Sequence, residues 1–87
     1  MKTIIQDRYL LSNEEVRAAI KSIMTTLRLE RWRQGISQRA LAEIMGSAQS
    51  HMSPMENGEH TPNLTTLIRY AAALDCDLVV SLKPRGE

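Results

Sequence analysis

Residues Gln38–Asn57, QRALAEIMGSAQSHMSPMEN, decide the fold. Leu41, Ala42 and Met45 form one apolar stripe at helical spacing, and Met52 and Met55 form a second. Between them stands Gly46, where the chain must turn sharply. A small residue at Ala42 and a glycine four positions later let two helices cross closely at a steep angle, the arrangement of a helix-turn-helix. The second helix then carries Gln49, Ser50, His51 and Ser53 away from its apolar side. These short polar groups offer the donors and acceptors that meet base edges in a major groove.

Working outward, SNEE at Ser12–Glu15 reads as a capping box that opens a long helix. Val16, Ile20, Ile23 and Leu27 recur at helical spacing, with Ala19 and Met24 beside them. The pattern predicts a helix to Gln34, stopped by Gly35. Thr25-Thr26 marks a point where it could bend. Ser37 suits the N-cap of the next helix, and Asn63 that of a fourth over Leu64, Leu67, Ile68, Ala71, Ala72 and Leu74. Asn57-Gly58 ends the third helix. Residues 77–83, DLVVSLK, alternate apolar and polar and predict a strand. Such a strand needs the N-terminal segment, a second subunit or a partner protein to pair with. The β-branched residues of Lys2–Leu11 favour an arm or short strand packed on the body.

Eighty-seven residues allow one domain, with a core small enough that dimerisation would help it. An apolar fraction of 43% argues against disorder throughout. With no Phe, the core must come from Leu, Ile, Ala, Val and Met. One cysteine, Cys76, excludes an internal disulfide and fits a reducing, cytoplasmic compartment; as the end of an apolar helix it reads as a buried small hydrophobe. No apolar run approaches a membrane span, and the N-terminus is too short and charged for a signal peptide. Net charge is only +1, but it is distributed unevenly. Val16–Arg39 holds six basic residues against one acid, and Ala40–Leu82 one against five. That asymmetry suits a basic surface near a phosphate backbone, or simply a solvated helix face. His51, His60 and Cys76 match no metal-site spacing, and no nucleophile–base constellation is present, so neither enzyme nor cofactor is expected.

The phrases RWRQGISQRALAEIMG, SAQSHMSPMENG and TPNLTTLIRYAAALD, in this order, resemble the phage Cro and CI repressors and the wider xenobiotic-response-element (XRE) regulators. The resemblance covers roughly residues 27–83 and implies an all-α, lambda-repressor-like helix-turn-helix bundle of four to five helices, here with a short C-terminal β-strand. It divides the chain into an arm (1–11), a DNA-binding domain (12–75) and a strand with tail (76–87). It also implies a partly buried ion pair between Arg31 and Glu56, base reading by Gln49, Ser50, His51 and Ser53, and backbone contacts by Gln38, Arg39, Asn57, His60 and Thr61. The implied partners are double-stranded DNA, in an inverted-repeat operator, and a second copy of the chain. A strand after the fourth helix resembles the XRE-type antitoxins, which adds a toxin protein as a candidate partner.

Three features depart from the family pattern. Ser47-Ala48 inverts the usual order at the third helix's cap. The recognition helix has no Arg or Lys, so A·T pairs become important in the expected site. Pro54 removes a backbone donor within that helix, so either the helix kinks or its regular part begins only at Ser53. Pro54, the uncharged recognition helix, Glu59 and the low net charge keep a second class in view, a protein-interaction module on the same scaffold with DNA binding weakened or lost.

Overall fold

In the computed structural model, which describes residues 11–84 and 86, Ser12 opens a 21-residue helix, α1 (Asn13–Arg33). The Ser12 hydroxyl accepts the Glu15 N–H at 3.1 Å, the first half of the expected box. The helix runs unbroken through Thr25-Thr26, where the Thr26 hydroxyl donates back to Ser22 O at 3.2 Å. Gly35, at φ 72°, reverses the chain. Gly35 N–H then bonds Trp32 O at 2.9 Å and Ile36 N–H bonds Arg31 O at 3.0 Å, closing the last carbonyls of α1.

Ser37 caps α2 (Gln38–Met45) by accepting the Ala40 N–H at 3.0 Å. Gly46 follows at φ 69°. A Cβ there would meet nothing within 4 Å, so the glycine is required by backbone conformation and not by close approach of the helices. The close approach is supplied by Ala42, which is buried. Helix α3 spans Gln49–Glu56 without interruption, so the late start at Ser53 does not occur. Its C-cap Asn57 keeps an ordinary φ of −85°, and the left-handed residue is Gly58. Asn63 caps α4 (Leu64–Ala73), accepting the Thr66 N–H at 2.8 Å. Asp75 then takes φ 59°, a conformation an aspartate tolerates less well than glycine.

The core forms where these helices meet. Met24 and Leu27 of α1, Leu41 and Ala42 of α2, Met52 and Met55 of α3, and Tyr70, Ala71 and Leu74 from α4 make one buried cluster. Methionine fills the irregular gaps that a chain without Phe leaves. The N-terminal half of α1 lies outside this cluster: Val16 and Ile23 are exposed and Ile20 only half-buried.

Two expectations are corrected. No strand forms over 77–83 among the described residues; Cys76–Pro84 runs without helix or ladder. Alternation supplies the faces of a strand but not the hydrogen-bonding neighbour that makes one. Cys76 is exposed, because the chain turns out of the core after Leu74. The arm expected at Met1–Leu11 lies, apart from Leu11, outside the described residues. Among the described residues no helix is long and apolar enough to cross a membrane.

Candidate nucleic-acid interface

Helix α3 is held at its C-terminal end by a buried polar cluster. Arg31, from α1, presents Nε 3.0 Å from Glu56 Oε2 and Nη2 2.8 Å from Oε1, a bidentate pair. Tyr70, from α4, donates its hydroxyl to Glu56 Oε2 at 2.5 Å. Gln38, from the first turn of α2, donates Nε2 to Glu56 Oε1 at 3.0 Å. Arg31 also donates Nη1 to Ile36 O at 2.8 Å. One carboxylate thus joins all four helices, and both members of the ion pair are almost fully buried.

Burial alone would push the Glu56 carboxyl upward, but the bonds from Arg31, Tyr70 and Gln38 outweigh it and hold the group below the ordinary carboxylate range. Burial also opposes the Arg31 charge, and the bonds to Glu56 and Tyr70 more than restore it. The Tyr70 hydroxyl is pushed up by burial and by the adjacent Glu56 charge, so it stays a donor. Such a cluster fixes geometry more reliably than it adds net stability.

Two members of this arrangement escape sequence reasoning. Tyr70 carries no motif; the available signal is that a tyrosine on an apolar stripe needs a partner for its hydroxyl. Arg28 reads only as a surface charge. In the structure its Nη1 donates to Glu56 O at 3.4 Å, its Nε stands 3.9 Å from Glu56 Oε1, and its guanidinium lies 4.9 Å from the centre of the Trp32 ring. It caps the last turn of α3 with a cation, where the helix dipole favours one.

With α3 anchored from behind, its N-terminal turn is free. Ala48 is the N-cap and makes no side-chain bond; in the first turn the His51 N–H bonds the Ala48 carbonyl at 3.0 Å. Gln49, Ser50 and His51 are exposed; Ser53 is half-buried and less available. Pro54 lies half-buried in the middle of α3, so the Ser50 carbonyl lacks its usual i+4 donor. His51, His60 and Thr61 line one open cleft together with Ser47 and Asn63. Asn57 is exposed at the helix end. Arg39 is exposed and makes no ion pair among the described residues. Gln38 is half-buried and commits one N–H to Glu56, which leaves its amide oxygen and second N–H for other partners. No group of three or more His, Cys, Asp or Glu side chains that could hold a metal occurs among the described residues.

Two short helices crossing at a left-handed Gly46, the second pinned at its base and open along its N-terminal turn, define a helix-turn-helix protein. The chain belongs to the helix-turn-helix family, of the Cro/CI and XRE type that its motifs resemble: the family model described as "Helix-turn-helix" matches residues 27–80. It is 41% identical over 61 residues to an uncharacterized HTH-type transcriptional regulator, y4dL, of Sinorhizobium fredii. That match covers 70% of this chain and 31% of the relative, so the chain spans about a third of the relative's length. A solved structure titled "Toxin-Antitoxin module from Streptococcus pneumoniae" superposes with a TM-score of 0.63 at 29% identity, covering 95% of this chain and 96% of that one.

Proposed function

We propose that the protein is a sequence-specific, DNA-binding transcriptional repressor that acts in the cytoplasm as a homodimer on an inverted-repeat operator. One observation carries the reading: the Glu56 cluster fixes α3 from behind while Gln49, Ser50 and His51 stand exposed on its first turn. Gln49 reads adenine through N6 and N7, a bidentate contact worth about 1–3 kcal/mol of discrimination. Ser50 and His51, with a smaller share from Ser53, supply the remaining base contacts. Gln38, Arg39, Asn57, His60 and Thr61 hold the phosphate backbone. The DNA-binding unit is residues 12–75, and the second copy doubles a contact surface that one cation-free helix leaves small.

Within this reading the protein is an autoregulating antitoxin. The likeness to a toxin–antitoxin module along nearly the whole chain supports that specialisation over a phage-type Cro or CI repressor, and it makes a toxin protein a further partner. The competing reading is a protein-interaction module with weak DNA binding, favoured by the absence of Arg and Lys from α3. Selection of binding sites from a random duplex pool at two salt concentrations separates the two. The repressor enriches an inverted repeat with a clear salt slope, and Gln49→Ala relaxes one position in each half. Folded protein that enriches nothing at low salt refutes it.

A further inference from the structure

The chain has two histidines, and the structure places both in one cleft. His51 comes from the first turn of α3 and His60 from the loop before α4; both are exposed. Ser47, Thr61, Asn63 and Thr66 supply the other polar groups of the lining, and the rest is methionine and proline. Among the described residues no other titratable or charged side chain lines this cleft. The elements that form it carry Arg39 and Glu43 on α2, Glu56 on α3, Glu59 in the loop and Arg69 on α4, and all five lie off the lining. Glu56 is committed to Arg31, and Arg69 borders a separate groove beside Ile44.

The positive charge of this face therefore rests on two imidazoles, because α3 itself contains no Arg or Lys. A neutral imidazole has one N–H donor and one acceptor; an imidazolium has two donors and a charge. Phosphate oxygens and the acceptor atoms of base edges engage only the donors. Histidine is the side chain whose charge ordinarily changes between about pH 5 and pH 8, and a nearby phosphate favours the charged form. Once protonated, His51 has one N–H for a base acceptor and a second for the backbone beside it.

We propose that this cleft is a proton-coupled phosphate seat: duplex DNA places a backbone phosphate against it, and His51 and His60 take up protons as the complex forms. The proposal rests on the DNA-binding reading above and adds its regulation. The sign follows from linkage. The complex binds more protons than the free chain, so affinity rises as pH falls through the imidazole range. The Glu56 cluster does not share in this, since its carboxyl is held below the ordinary carboxylate range and stays charged there.

The test is fluorescence anisotropy of a labelled duplex with the full chain, at pH values of about 6 and about 8 and over a range of salt, with helix content followed by circular dichroism. Wild-type protein binds about tenfold more tightly at the lower pH for each imidazole that is charged in the complex. The slope of log affinity against log salt is steeper there by about 0.9 for each imidazolium set against a phosphate. Titration calorimetry in two buffers of different ionisation heat shows net proton uptake on binding. His51→Gln and His60→Gln each remove about half of the pH effect on a logarithmic scale, and the double variant removes it. His60→Lys is charged at both pH values and keeps the steeper salt slope at the higher one. Equal affinity at both pH values, from protein that binds the duplex and keeps its helix content, overturns the proposal and leaves the DNA-binding reading standing. A pH effect that survives the double variant overturns it as well. Equal proton uptake from inorganic phosphate without duplex overturns the assignment to DNA. A folded chain that binds no duplex at low salt at either pH overturns both readings.

Discussion

Replacing Glu56 by Gln keeps the side chain's shape and removes its charge. The carboxylate accepts from Arg31 twice, from Tyr70 and from Gln38. A glutamine amide has one acceptor oxygen. If that oxygen takes the place of Oε2, the new NH2 faces Arg31 Nη2 and Gln38 Nε2. If it takes the place of Oε1, the NH2 faces Arg31 Nε and the Tyr70 hydroxyl. Either way at least one guanidinium N–H loses its bond to residue 56, leaving Nε at most its 3.3 Å bond to the Tyr70 hydroxyl, and Arg31 becomes an uncompensated buried charge. Breaking a buried pair from one side costs about 3–5 kcal/mol. A chain of this length has roughly 4–13 kcal/mol in total. The variant should therefore lose about a quarter or more of its stability in urea denaturation followed by circular dichroism, with the slope unchanged. The pH dependence gives a second reading. Because the folded carboxyl sits below its ordinary value, its contribution is complete above about pH 4.3 and is lost as pH falls through the folded value. Wild type and variant should accordingly differ most near neutrality and converge in acid. A loss under about 1 kcal/mol, the size of an exposed pair, would refute the reading of Arg31 as a buried charge that depends on Glu56.

Pro54→Ala returns a donor to the Ser50 carbonyl and should stabilise the protein by about 1–3 kcal/mol; an unchanged or lowered melting temperature contradicts the account of α3. Asn63→Ala removes the acceptor of the Thr66 N–H and should cost about 1 kcal/mol in urea, with little change in operator sequence. Arg39→Gln should reduce the slope of log affinity against log salt by about 1 without altering the selected repeat; a changed repeat would mean that Arg39 reads bases.

Much of this architecture is written in local chemistry. Ser12, Ser37 and Asn63 cap helices because a short oxygen-bearing side chain reaches an N–H three residues on, and Gly35 and Gly46 turn the chain because they accept positive φ. Such signals involve neighbours in sequence and are legible there. Pro54 misleads for a physical reason. Its helical penalty is about 3 kcal/mol, while burying Met52 and Met55 together gains roughly 3–6 kcal/mol, so tertiary packing prevails over propensity. Periodicity gives no reason to join Arg31 to Glu56, 25 positions apart. That expectation rests on the family resemblance, and nothing local announces that Tyr70 completes the same cluster. The C-terminal segment fails in the opposite sense: its alternation is plain, but whatever pairs with it is not within the described chain.

Helix α1 carries a gradient of protection along its length. Its second half is clamped by Met24, Leu27 and Arg31, while its first ten residues contribute one half-buried side chain, Ile20. Amides near Val16 should therefore exchange with solvent through fraying, at almost no free-energy cost, while those near Arg31 exchange only when the whole domain opens. A single rod is thus soft at one end and locked at the other. A protease would find its foothold in the soft turns without first unfolding the face that α3 presents, so the chain can be shortened from that end while its helix-turn-helix stays assembled.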